Sequence, residues 1–465
     1  MWRQRTLAQR WFWRTLATAL LIVCTTVLTM TAVQELSPPP PSRSTLAALR
    51  PFQYPVWSEY SPPDREDDWY NATCLGGQLR PALTELAAHL EMLHTAEHPE
   101  CRALAGWLNT LFTVEQREAN VTLPAPFLAK VLTWVGGSEQ LMDIVRHQRI
   151  LHVTNNLVLH EVAFNPVRAF RPQLPSAGPS AREQLHALAE ETRGSCDFCQ
   201  WRTMTALVGE PPGRFDSPLS TVVGNTLKLD GGHALVLSRE HSPLRLTVEG
   251  RADMVALAER WSRDQQSRRP QLRFPTLMWD VGQHAGASQV HPHVHVMLSP
   301  AHYSAGWERQ RRAALLFSEI WPQDNYFSAL VRAHAALGLT ARLGAAVAFA
   351  AVDPVLDAEI WVVSAEPDAD FTRLYALAVA TVERRLGRLC HSSSLALPAL
   401  AEPAGRLPAL ARLVPRGDCT SVRTDFSAIE MFALSAIALD PYQVVRELRY
   451  TIERNGEVQP RSAAA

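Results

Sequence analysis

Apolar residues recur at helical spacing through PALTELAAHLEMLHTA, PAPFLAKVLTWV and SEQLMDIVRHQRIL, so residues 77–149 read as a helical extension. From residue 150 the pattern changes to strand. HVTNNLVLHEVAFNPVRAFRPQ is rich in β-branched residues, and LPSAGPSAREQ after it reads as a loop. STVVGNTLKLDGGHALVLSREHSP predicts two strands joined at Asp-Gly-Gly. RADMVALAERWSRD predicts a helix, and RFPTLMWDV and VHPHVHVML predict two strands flanking a Gly-Ala-Ser loop. Beyond residue 300 the helices AHYSAGWERQRRAALLFSEIW and YFSALVRAHAAL lead into a second hairpin, AAVAFAAVDP with AEIWVVSAEP. DFTRLYALAVATVERRLGRL is an amphipathic helix, RTDFSAIEMFALSAI has strand character, and DPYQVVRELRYTIE closes the chain as a helix. The order hairpin, helix, strand thus occurs twice, roughly 140 residues apart, in an α+β pattern. The second copy lacks the chemistry-bearing residues of the first; two unrelated α+β lobes are the alternative.

One further apolar run is of a different kind. Residues 15–33, TLATALLIVCTTVLTMTAV, carry no charge. As a helix they would rise about 28 Å, roughly one hydrocarbon core. Arg3, Arg5, Arg10 and Arg14 precede the run, and Glu35 is the first charge after it. The positive-inside rule keeps residues 1–14 cytoplasmic and sends the body across. A type II signal anchor of the secretory pathway, in the Golgi or endoplasmic reticulum, is the reading; cleavage after TMTA is the alternative. Residues 34–76, which include SPPPPSRS, read as a Pro-rich stalk, and 456–465 as a disordered tail.

The 465 residues suffice for two to three domains, and the net charge of −1 gives no field favouring nucleic acid. Asn71 (NAT) and Asn120 (NVT) are glycosylation sequons that suit a lumenal body. Seven cysteines are present: Cys24 lies in the apolar run, and Cys196 and Cys199 form a CxxC. Cys74, Cys101, Cys390 and Cys419 remain, an even set. Pairing near neighbours gives Cys74–Cys101 and Cys390–Cys419; four buried thiols are the alternative.

His291, His293 and His295 fall on every second position of AGASQVHPHVHVMLSP, residues 285–300, and so share one face of a strand. Adjacent imidazoles on a buried face need partners. A solvated face, a metal cage and a held imidazole nucleophile are three readings of that row.

H-x-H-x-H preceded by a small-residue loop resembles the motif of the histidine-triad superfamily. GASQVHPH is similar to the loop of its diadenosine tetraphosphate phosphorylase branch, and HPH to the core of galactose-1-phosphate uridylyltransferases. FNPVRAFRP, the CxxC and VVGNTLKLDGGHALVLSREH follow that superfamily in the same order. The resemblance covers residues 150–300 and implies a histidine-triad-like catalytic lobe there; residues 301–455 become a degenerate second lobe. It implies that His293 attacks the α-phosphorus of a nucleotide, oriented through its other nitrogen by a main-chain carbonyl. His295 would lie near the phosphate or leaving group. Gly286, Ala287 and Ser288 would offer backbone and hydroxyl donors to the phosphate, and Asn225 would contact the nucleotide. Cys196, Cys199, His241 and His291 match a structural zinc set; a Cys196–Cys199 disulfide is the rival reading. Arg168 and Arg171 are further candidates for phosphate.

One residue departs from the pattern. Transferases and phosphorylases of the superfamily carry Gln at the third triad position, hydrolases His, and here it is His295. Asp280 also stands where many members have Asn. The expectation is nucleotidyl transfer or hydrolysis on a nucleotide sugar or nucleoside polyphosphate, through a nucleotidyl-His293 intermediate. An inert nucleotide- or glycan-binding module and a metal-dependent enzyme using the row as ligands are the rivals. Homodimer pairing through the sheet is a further expectation, although a tandem lobe could take the partner's place.

Overall fold

The computed structural model describes residues 52–171, 179–208, 213–421 and 423–457. The apolar run 15–33 and the terminal residues 458–465 lie outside them. Among the described residues no helix is long and apolar enough to cross a membrane.

The strands are β1 (Phe112–Asn120), β2 (His147–Asn155), β3 (His160–Phe164), β4 (Phe215–Asp216), β5 (Ser220–Gly224), β6 (His233–Ser238) and β7 (Phe274–Val281). There follow β8 (His293–Ser299), β9 (Thr340–Leu343), β10 (Ala346–Ala350), β11 (Ile360–Ser364), β12 (His391–Ala396), β13 (Ala409–Pro415) and β14 (Ser435–Ile437). They form two sheets, a four-stranded one ordered β1-β2-β3-β14 and a ten-stranded one ordered β4-β5-β6-β8-β7-β12-β13-β11-β10-β9.

The large sheet contains a repeat. Hairpin β5-β6, helix Val248–Arg268 and strands β7 and β8 pair in the order 5-6-8-7. Hairpin β10-β11, helix Ala369–Ala380 and strands β12 and β13 pair in the order 10-11-13-12. The copies meet where β7 and β12 pair antiparallel, from Val281 opposite His391 to Thr276 opposite Ala396. The outer edge of β7 is therefore filled from within the chain.

Local chemistry sets the elements. Thr247 Oγ1 accepts the Gly250 N–H at 3.0 Å and starts the long helix. Met254, Leu257, Ala258 and Trp261 then supply its buried face. Asp368 caps Ala369–Ala380 through the Phe371 N–H at 2.9 Å. These two helices pack on one another.

A buried ion pair fastens them. Arg251 Nη2 lies 2.5 Å from Glu383 Oε2, with side-chain exposures of 2% and 10%. His391 Nε2, at the start of β12, lies 3.2 Å from Glu383 Oε1. Burial alone would raise the Glu383 pKa; the Arg251 charge and the His391 bond outweigh it and hold the carboxyl below its ordinary value. Such a pair contributes stability above the unfolded carboxylate pKa, lost as pH falls through the depressed folded value. Glu383→Gln leaves Arg251 buried without its counter-charge, which costs about 3–5 kcal/mol. The expected result is a lower melting temperature at pH 7 and a smaller difference from wild type in acid. Equal melting at pH 7 would remove the pair as a fastening.

Three expectations need correction. Residues 77–149 are not wholly helical: β1 runs through them and pairs with β2 over nine positions. The same core continues from Tyr70 and Leu86 into the large sheet, so they are not a detached extension. The stalk also ends early. Tyr54 donates to Glu308 Oε2 at 2.8 Å, Trp57 Nε1 to the Arg406 carbonyl at 3.1 Å, and Asp67–Cys74 is a helix with Tyr70 and Cys74 buried. Aromatic side chains draw this segment onto the body. Finally, 423–437 is not one strand but a turn of helix, Ala428–Phe432, followed by the short β14.

Both expected disulfides, Cys74–Cys101 and Cys390–Cys419, are formed. Asn120 is exposed, while Asn71 is half-buried and its side-chain oxygen accepts the Leu79 N–H at 3.0 Å.

Candidate active site

The row sits where β8 enters the sheet. β8 begins at His293 and lies between β6 and β7, with Leu237 opposite His293 and Leu235 opposite His295. Val294, Val296 and Leu298 face the core and are fully buried. This alternation puts His293 and His295 on the other face.

His293 is 6% exposed, and its Nδ1 lies 2.9 Å from the main-chain oxygen of His291. A carbonyl only accepts, so the ring proton sits on Nδ1 and Nε2 carries the lone pair. Nε2 has no partner among the described residues and keeps contact with solvent. Burial lowers the His293 pKa, opposed by the His291 carbonyl and by Asp280, so the ring is neutral at pH 7. Phe198 of the CxxC segment packs edge-on against both His291 and His293, at ring separations of 5.8 and 5.3 Å.

His295 is held by a residue outside the row, His233, that no motif in the sequence marks. The Leu229 N–H donates to His233 Nδ1 at 3.0 Å, which leaves the His233 proton on Nε2. His233 Nε2 lies 3.0 Å from His295 Nδ1 and donates to it. The chain of bonds therefore places the His295 proton on Nε2. Burial first, then the neighbouring His293 and His233, push the His295 pKa down to about 4. Asn225 lies at the same end of the row, where its Oδ1 accepts the Leu227 N–H at 2.9 Å; its Nδ2 stands 3.1 Å from His233 Nε2, donor beside donor, and so makes no bond there. The only sequence signal for His233 was a histidine directly after Gly231-Gly232.

The loop before β8 differs in part from expectation. The Gly286 N–H donates to Gln283 O at 2.9 Å and the Ala287 N–H to Gly282 O at 3.2 Å, so both are spent inside the turn. Ser288 is exposed, and neither its hydroxyl nor its N–H is bonded among the described residues. The free donors therefore begin at Ser288. Gly282 has φ +83°, and a Cβ there would meet Cys390 Sγ at 2.5 Å, so the loop starts hard against the Cys390–Cys419 disulfide. Arg416 Nη1 holds the Ala285 carbonyl at 3.2 Å. The second copy thus positions the loop of the first.

Cys196, Cys199, His241 and His291 gather within 4.8 Å of one another, as expected, and could hold a metal ion. Both cysteines are free thiols, which removes the disulfide reading. His241 Nε2 lies 2.8 Å from Ala189 O and His291 Nε2 2.8 Å from Ser238 O, so each ring proton is committed to a carbonyl. The two Nδ1 lone pairs then face each other at 3.2 Å, with Cys199 Sγ at 3.2 and 3.6 Å. Facing lone pairs repel unless a cation lies between them. Two sulfurs and two imidazoles with carbonyl-fixed outer nitrogens fit tetrahedral zinc. Four protein ligands leave no open position, so zinc there would fix the segment entering β8.

No protein-family model and no curated protein matches the chain. Among solved structures it is similar to an ADP-glucose phosphorylase from Arabidopsis thaliana with bound ADP-glucose, at 15% identity and a TM-score of 0.47, over 64% of this chain and 97% of that one. A uridylyltransferase matches at 11% identity and a TM-score of 0.43, over 66% and 99%. Yeast Ap4A phosphorylase matches at 14% identity and a TM-score of 0.29, over 66% and 86%.

Proposed function

We propose that the protein is a nucleotidyl transferase or phosphohydrolase working through a nucleotidyl-His293 intermediate. The observation that carries this is the bond from His293 Nδ1 to the His291 carbonyl, which presents a neutral Nε2 lone pair to the open side of the row. In the first step Nε2 bonds the α-phosphorus, and the phosphorus–oxygen bond to the leaving group breaks. The neutral His295 Nε2–H is suited to hydrogen-bond the departing oxygen, which leaves as an ionised phosphate and needs no proton, and the free Ser288 donors suit the non-bridging oxygens. In the second step an acceptor oxygen bonds the phosphorus as the phosphorus–Nε2 bond breaks; water as acceptor releases a proton, whereas an ionised phosphate oxygen has none to lose. A neutral imidazole needs no deprotonation before attack.

The substrate is a nucleotide sugar or nucleoside polyphosphate. The body lies on the lumenal side of a membrane of the secretory pathway, anchored by residues 15–33; the two disulfides suit an oxidising compartment. Within one chain β12 already fills the edge of β7, which favours a monomer over pairing through that edge.

The test is incubation with radiolabelled nucleotide sugars and dinucleoside polyphosphates, with and without inorganic phosphate or sugar phosphates. An acid-labile, base-stable label on the protein is the expected intermediate. Its absence across the panel overturns the covalent route. His295→Gln removes the imidazole but keeps a donor. Release into water is expected to fall about 10²-fold because attacking water must lose a proton, with transfer to phosphate acceptors largely retained because an ionised phosphate oxygen has none to lose. An equal fall in both would remove His295 as the residue that separates the two outcomes.

A further inference from the structure

Outside the histidine row lies a cavity of about 670 Å³, a size typical of small-molecule sites. It is lined by Arg168 and Arg171, just after β3, and by Arg388 and Arg423 of the second copy. His284, from the loop before β8, forms part of the wall; His293, His295 and Ser288 do not.

The four guanidinium groups make no ion pair or side-chain hydrogen bond among the described residues. The acids on the wall are each engaged elsewhere. Asp357 Oδ1 accepts the Ala438 and Leu439 N–H groups, both at 2.9 Å. Asp418 Oδ1 accepts the N–H and hydroxyl of Thr420 at 2.9 Å. Asp425 grips Arg416, at 3.1 Å from Nη2. Glu430 caps its own helix through Ser427, and Arg168 acts on it only through space. Bonds from neutral donors leave Asp357, Asp418 and Glu430 charged, so the hollow keeps a small positive excess and four unbonded guanidinium forks, which an anion can engage. Arg forks match the oxygens of phosphate and sulfate in pairs.

We propose that this cavity is a second binding site, for a molecule carrying phosphate or sulfate groups. Its occupancy bears on the loop that precedes the row: His284 lines the hollow, and Arg416 ties the loop's Ala285 carbonyl to the wall residue Asp425. The proposal does not depend on nucleotidyl transfer.

Titration calorimetry on the full chain tests it, using inorganic pyrophosphate, glucose 1-phosphate and a sulfated disaccharide at low and raised salt. The His293→Asn chain serves as background, so catalysis plays no part. At least one probe is expected to bind once per chain and to weaken with salt. Arg388→Gln with Arg423→Gln weakens it at least 10-fold. Arg168→Gln with Arg171→Gln, on a different segment, does the same and guards against a folding defect in the first pair. Tighter binding of the phosphates or of the sulfated sugar assigns the oxoanion, and either supports the site. Failure of all three probes to bind, or binding untouched by both Arg pairs, overturns it.

Discussion

On the proposed covalent route, replacing His293 with Asn is expected to stop turnover, by about 10⁴-fold or more, the scale of losing a nucleophile that works as part of a unit. Asn is nearly isosteric with the near half of imidazole and keeps a donor for the His291 carbonyl, so the pocket closes as before. What is lost is the Nε2 lone pair, and with it the covalent route. The zinc set does not include His293, so metal content is expected to remain at wild-type level. Melting temperature changes little, because the ring is bonded to protein only through Nδ1. Incubation with labelled nucleotide then leaves no label on the protein. A variant that still turns over at a tenth of the wild-type rate, with or without label, would move the chemistry off this ring. A variant that loses its metal would instead make the row a ligand set.

The parts of this site that were legible in the sequence are those where chemistry-bearing residues stand at fixed short spacing. HPHVH and CDFC announce themselves in this way. His241 lies 50 positions from His291, and it was placed by resemblance rather than by any local signal. The alternation of β8 was equally plain, since Val294, Val296 and Leu298 mark its buried side.

What was missed follows from physics that single-chain patterns do not carry. In β1 nearly every residue after Phe112 is exposed or half-buried, so no apolar alternation marks it; pairing with β2 makes it a strand. β12 and β13 lie inside the sheet between other strands, and HSSSLA mixes buried Ser with buried Leu. Burial does alternate through His391–Leu395, but the positions there are His and Ser, so no apolar alternation shows it in the sequence. His233 was passed over because its importance lies in one partner, His295, which is 62 residues away. The hold of Arg416 on Ala285 spans 131 residues and crosses the two copies, so neither copy read alone suggests it. The hairpins and helices of the repeat were visible, but its closing strands in the second half, β12 and β13, were not: the strand expected at 423–437 is a turn of helix and β14, which lies in the small sheet.

The largest structural effect is expected at Cys196 and Cys199. Replacing both with Ser removes the two thiolates of the four-ligand set, and the purified chain is expected to fall from about one zinc per molecule to below ~0.1. Ser is a poor zinc ligand, and two imidazoles alone do not close the coordination sphere. His241 and His291 are then left with their Nδ1 lone pairs opposed at 3.2 Å, and the pair must separate. His291 cannot swing freely while its Nε2 proton is bonded to Ser238 O, so the strain passes to the backbone of residues 291–293. That backbone carries the carbonyl that fixes His293. A nucleophile misplaced by about 1 Å costs on the order of 10²-fold in rate, so activity falls but does not vanish, in contrast to His293→Asn. Elemental analysis and chelator-dependent melting measure the metal independently of turnover: wild type should lose thermal stability on chelation, and the double variant should melt at the same temperature with or without chelator. Full zinc occupancy in the double variant would place the ion elsewhere, and the four residues would then be an ordinary polar cluster beside the row.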